Sequence, residues 1–154
     1  GTFEIGGGEV CFERLAEGAA ITHYSGPQGG YHLFVSVGCA DCPAQVRVKY
    51  AVLDPETMQV YDRTYETDTV VDLVDHDGWP QRAGLQLLMP GLSWDPEYDP
   101  PLDEGTPFIL SVTALDTSGA VLHQEELSLV RGPTVSWDPC DQNPDDLCCV
   151  ELCF

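Results

Sequence analysis

Two histidines flank a glycine-rich stretch, His23-Tyr24-Ser25-Gly26-Pro27-Gln28-Gly29-Gly30-Tyr31-His32, whose ends mirror each other. If Ser25–Gly30 is a hairpin loop, Tyr24 faces Tyr31 and His23 faces His32. Opposed Cβ atoms in an antiparallel pair stand about 4.5–5.5 Å apart. Both imidazoles would then share one face and could hold copper or zinc with a third ligand from elsewhere. The plain alternative is a glycine-rich turn with ordinary cross-strand pairs. The glycines make no phosphate cradle, since no Lys follows and no helix opens after them.

A second cluster, Asp72, Asp75 and Asp77 with Gly78, sits in a turn. Calcium takes several oxygens from closely spaced carboxylates and carbonyls. The spacing lacks the later ligands of an EF-hand loop. The acidic loop Asp95–Glu104 is a second calcium candidate. With 26 Asp and Glu in the chain, neighbouring carboxylates also arise by chance. No cofactor is expected, with calcium or copper as the alternative.

Seven cysteines are present: Cys11, Cys39, Cys42, Cys140, Cys148, Cys149 and Cys153. So many in 154 residues point to an oxidising space where disulfides persist. The chain begins at Gly1, which fits removal of an export signal. The expected location is therefore extracellular or on the cell surface. Gly38-Cys39-Ala40-Asp41-Cys42-Pro43 contains a C-x-x-C, but the following Gln45–Val52 alternates like a strand. A redox-active C-x-x-C wants a helix start there, and haem attachment wants a His where Pro43 stands. A zinc site shared with two tail cysteines is a chemical alternative; structural disulfides are the expected reading. Cys148 and Cys149 are neighbours and should face different partners. The odd count leaves one thiol free or joined to another chain.

Catalytic motifs are missing: there is no G-x-S-x-G and no H-E-x-x-H. No enzyme is expected. A formal charge of -20, from 6 basic and 26 acidic residues, opposes binding to nucleic acid or anionic lipid. No apolar run approaches the ~20 residues of a membrane span. At 43% hydrophobic residues the chain can still bury a core. Trp79, Trp94 and Trp137 are either loop and core anchors or a platform for sugars.

The elements that position these groups read with period two. Tyr31, Leu33, Val35 and Val37 alternate with His32, Phe34 and Ser36; Val46, Val48, Tyr50 and Val52 alternate with Arg47, Lys49 and Ala51. Phe108–Leu115 is β-branched or apolar almost throughout. Further strands are expected near Glu9–Leu15, Ala20–Tyr24, Val60–Tyr65, Thr69–Val74, Leu85–Met89 and Val121–Val130. Asp54-Pro55-Glu56-Thr57 and Asp116-Thr117-Ser118-Gly119 are turns. The expected fold is all-β, an antiparallel immunoglobulin-like sandwich of about eight strands over residues 1–131. Residues 132–154 should form an acidic, cysteine-rich, irregular tail ending in apolar Leu147, Val150, Leu152 and Phe154.

The hairpin Val112–Leu129 resembles the last hairpin of bacterial immunoglobulin-like and fibronectin-type-III-like domains. The string Gly26-Pro27-Gln28-Gly29-Gly30-Tyr31-His32, with the apolar strand after it, resembles a motif of uncharacterised secreted proteins and lipoproteins of myxobacteria and related bacteria. That resemblance covers roughly Phe12–Val37. It implies export and a β-sandwich, and no activity.

The expected function is a non-catalytic extracellular structural or interaction protein, a self-assembling fibre or surface-layer subunit. Its partners would be copies of itself or other surface proteins. Either Thr2–Leu15 or Leu147–Phe154 would serve as the segment inserted into a neighbour. The alternative is a metal-binding surface protein, with copper at His23 and His32 or calcium at the aspartate turn. A third class, an adhesin-like module, would use the Trp94–Tyr98 loop.

Overall fold

The computed structural model describes residues 2–76 and 78–137, and no helix occurs among them. Ten strands follow in order: β1 (Phe3–Gly7), β2 (Glu13–Arg14), β3 (Ala20–Ser25), β4 (Gly30–Cys39), β5 (Gln45–Leu53), β6 (Thr67–Asp72), β7 (Val74–His76), β8 (Trp79–Leu92), β9 (Pro107–Leu115) and β10 (Val121–Ser136).

One limb of the sheet is built on β4. Its long partner β8 runs antiparallel, with Leu33 opposite Leu87 and Val35 opposite Leu85, and β7 extends β8. On the other edge of β4, β1 pairs with its C-terminal half, placing Ile5 opposite Val37. The second limb runs β6-β5-β9-β10, antiparallel throughout. β3 joins the two limbs. It runs parallel to the end of β10 and meets β4 at Tyr24–His32 and Ser25–Tyr31. The sheet is therefore mixed and curled, with ten strands rather than about eight and one parallel pairing rather than none.

The limbs close on each other through alternating side chains. In β9, Phe108, Leu110, Val112 and Ala114 are buried, while Ile109, Ser111 and Thr113 are half-buried. β5 repeats this with Val46, Val48, Tyr50 and Val52. These side chains share one core with Leu33, Val35 and Leu87 of the opposite limb. Tyr50 crosses it: its hydroxyl donates to the Gln86 carbonyl at 2.9 Å. Each fully buried Leu, Val or Phe stabilises the fold by about 1.5–3 kcal/mol against exposure.

β4 is buried on both faces, so His32, Phe34 and Ser36 are buried as well as the expected apolar set. Trp79 and Trp137 cover the second face. A Cβ on Gly38 would lie 2.1 Å from the Trp79 ring, so only glycine lets that indole lie flat on the strand. The Trp137 ring sits 4.5 Å from His32 and 5.7 Å from Phe34. Both indoles pack against this face of β4.

Several boundaries differ from expectation. Val60–Tyr65 is not a strand; only an isolated bridge, Leu53–Val60, remains. Glu9–Leu15 shortens to β2. β1 is a strand despite the Gly6-Gly7-Gly8 run that follows Phe3-Glu4-Ile5, because β4 supplies a partner edge. β10 continues to Ser136, past the expected boundary at 131, and most of the expected tail lies outside the described residues.

Candidate functional site

The histidine hairpin forms, with a register one residue away from the expected one. Gly26 N donates to the Gly30 carbonyl at 2.8 Å, and Gly29 turns the chain at φ 89°. The loop thus occupies Gly26–Gly30, and Tyr24 stands opposite His32. A one-residue shift moves a side chain to the other face of the strand. His23 therefore stacks on Tyr31 at 4.7 Å, while His32 stacks on Tyr24 at 5.6 Å. The pairing does not bring the two imidazoles to one face, as a shared copper or zinc ion would require.

His23 belongs to a buried polar group instead. Its Nδ1 lies 2.8 Å from Thr134 Oγ1, and the Arg131 guanidinium also donates to that hydroxyl and to the Gly132 carbonyl. Burial, then the Arg131 charge, then His32, lower the His23 pKa from 6.5 to about 4. Burial lowers the His32 pKa too, against a smaller opposing effect of Glu9. The Nε2 atoms of both rings are buried without a hydrogen-bond partner among the described residues. Neutral rings fit that environment, because a charged imidazolium there would lose its hydration.

The aspartate turn does local work. Asp75 Oδ1 accepts from Gly78 N at 3.0 Å, and Asp72 Oδ1 accepts from Gln45 Nε2 at 3.2 Å. Asp77 lies outside the described residues. In the second calcium candidate, Asp95 Oδ1 accepts from Tyr98 N at 3.2 Å and closes a turn.

Cys39 and Cys42 form a disulfide, and Cys11 is also disulfide-bonded. Cys140, Cys148, Cys149 and Cys153 lie outside the described residues, as do Leu147, Val150, Leu152 and Phe154. Beside the disulfide, His123 Nε2 meets Asp41 Oδ1 at 2.7 Å. The donor atoms of Cys39, Asp41, Cys42 and His123 all fall within 4.8 Å of one another, a grouping that sequence spacing did not reveal. With the sulfurs joined, only Asp41 and His123 offer ordinary metal donors.

The feature with the clearest consequence for function is an open seam between β1 and β10. Gly18 N donates to the Ser128 carbonyl at 2.7 Å and Val130 N to the Ala19 carbonyl at 2.9 Å. At these two residues the backbone points away from β9. Period two carries that direction to Glu126 and Gln124. Among the described residues no strand pairs with that side of β10 before Val130. Across from it, among the described residues, β4 is the strand partner of β1 at Phe3 and Ile5. A groove of about 160 Å³ separates the edges, lined by Phe3, Ile5, Leu15 and Leu127 and rimmed by Glu4, Arg14 and Glu125. β1 itself is paired within its own chain, so Thr2–Leu15 is not the free inserting segment that the sequence suggested.

No protein-family model matches the chain, and no curated protein matches it. Among solved structures, the chain is similar to the periplasmic chaperone SfaE, at 14% identity and a TM-score of 0.43, over 82% of this chain and 60% of that one. It thus spans less than two thirds of the chaperone. It is also similar to the CooA pilin subunit from enterotoxigenic Escherichia coli, at 11% identity and a TM-score of 0.40, over 90% of this chain and 100% of that one.

Proposed function

We propose that this chain is a non-catalytic extracellular structural subunit whose copies join through the open seam into a fibre or surface layer. The single observation that carries this reading is the pair of facing edges, β10 at Gln124–Leu127 and β1 at Phe3 and Ile5, which no strand joins among the described residues, with a groove of mixed apolar and charged lining between them. Unpaired backbone on an exposed edge is a template for an added strand. Main-chain hydrogen bonds would supply affinity, and pockets for alternate side chains would supply register. The curled sheet reads as an immunoglobulin-like sandwich, with β1, β4, β8 and β7 in one layer and β6, β5, β9 and β10 in the other. The oxidised Cys39–Cys42 pair supports residence outside the cytoplasm.

Sedimentation and electron microscopy of the full chain test the reading. Copies carrying a charge of -20 repel one another, so assembly should strengthen with salt or acid. A species that stays monomeric at every salt concentration contradicts it.

A second reading, a metal-binding surface protein, would rest on Asp41 and His123 beside the Cys39–Cys42 disulfide. Elemental analysis of native protein separates the two readings.

A further inference from the structure

The turn that carried the mirror-symmetric motif lines one wall of a cavity of about 450 Å³, a size within the usual range for small-molecule sites. Tyr31, Tyr65 and Trp137 supply aromatic surface, while Gln28, Gln86 and Thr67 supply hydrogen-bonding side chains. None of the lining residues carries a formal charge, in a chain where 21% of residues do.

We propose that this cavity binds a neutral carbohydrate. The assignment does not depend on the assembly reading, and a monomer would serve as well as a polymer. A sugar ring presents an apolar C–H face and a belt of hydroxyls, each of which both donates and accepts. Aromatic faces suit the first. Side-chain amides and a threonine hydroxyl, which also donate and accept, suit the second. A proline-rich peptide, the other ligand of aromatic grooves, offers mainly carbonyl acceptors and leaves the amide oxygens unmatched. The lining residues offer a cation no carboxylate, the neighbouring Glu9 Oε1 being engaged by Trp137 Nε1 at 3.0 Å, and they offer an anion no Lys or Arg. His32, on the same wall, is held neutral by burial.

The surroundings extend the site. Tyr65 is 63% exposed on the rim. Trp94 packs on the outer side of the same turn: a Cβ on Gly29 would lie 2.2 Å from its Cδ1, and Gly29 has φ 89°. Glycine at that position therefore lets one turn carry an indole outside and line the cavity inside. Trp94 and Tyr98 are each 68% exposed. The Arg63 guanidinium lies 3.9 Å over the Tyr98 ring and holds it against the surface. Trp94, packed against the same turn, offers a position for a further sugar unit beyond the one in the cavity.

The test is a titration of the full chain with neutral oligosaccharides (chitotriose, cellotriose, maltotriose and lactose), read by calorimetry and tryptophan fluorescence. Sialyllactose and a decaproline peptide serve as the anionic and peptide probes. At least one neutral sugar should bind at millimolar concentration or below. Tyr65→Ala and Gln86→Ala should each weaken it by about tenfold. Both residues sit at the surface end of the cavity, and retained thermal unfolding would show that the variants fold. Glu126→Gln, on the remote seam, should bind as the parent does. Absence of binding to every neutral sugar, binding that survives both variants, or preference for sialyllactose or decaproline would each overturn the assignment.

Discussion

His123 Nε2 lies 2.7 Å from Asp41 Oδ1, and the same ring stacks on Phe3 at a centroid distance of 5.0 Å. One side chain thus ties the start of β10 both to the turn after β4 and to β1. It closes one end of the seam, and β3 closes the other. Between them, among the described residues, no strand pairing joins the two edges.

This clip predicts a graded stability series. Asp41 is more than half exposed, so its hydrogen bond with His123 should contribute less than about 1 kcal/mol. The ring contact adds about 0.5–1 kcal/mol through packing. His123→Ala should therefore lower the urea unfolding free energy by about 1 kcal/mol, and Asp41→Asn by less. Equal losses would mean that the contact with Asp41, not the stack, dominates.

The His23 environment predicts an acid-sensitive fold. The pKa falls from 6.5 to about 4 in the folded chain, so the unfolded chain binds the proton more readily. Stability is then fully present above pH 6.5 and lost as pH falls toward 4, by up to about 3 kcal/mol. His23→Gln should be less stable at pH 7 and should lack this part of the slope. Unfolding curves of both proteins at pH 7, 5.5 and 4.5 measure the difference. The same slope in both would contradict a neutral, buried His23.

The Cys39–Cys42 bond closes a very short loop, so its entropic contribution is small. Chain-entropy arguments give about 2 kcal/mol for such a loop. The double variant Cys39→Ala, Cys42→Ala should lose about that much, plus a cavity cost at buried Cys39. A loss well below 1 kcal/mol would mean that the paired β4 and β1 already hold the turn.

Much of this architecture was legible where burial has two sides of different character. β5 and β9 alternate because one face meets the core, and their apolar periods show it. β4 and β1 were harder. β4 is covered on both faces, so its polar positions His32 and Ser36 are buried too. β1 takes its stability from β4 rather than from β propensity, and its glycines hide it. The hairpin register turned on one residue in a glycine-rich loop, where no side chain fixes the count. The approach of His123 to Asp41 joins residues 82 positions apart and leaves no local trace in sequence. The seam is a pairing missing among the described residues, which no pattern within a single strand can announce.

The claim that copies join along β10 is tested most directly by Glu126→Pro and Gln124→Pro, compared with the parent by sedimentation and electron microscopy at high salt. Proline removes an outward N–H, and the bonds to β9 run from the residues between. The account predicts polymers from the parent and folded monomers from both variants. Polymers that persist in both, or a parent that never leaves the monomer, would contradict it.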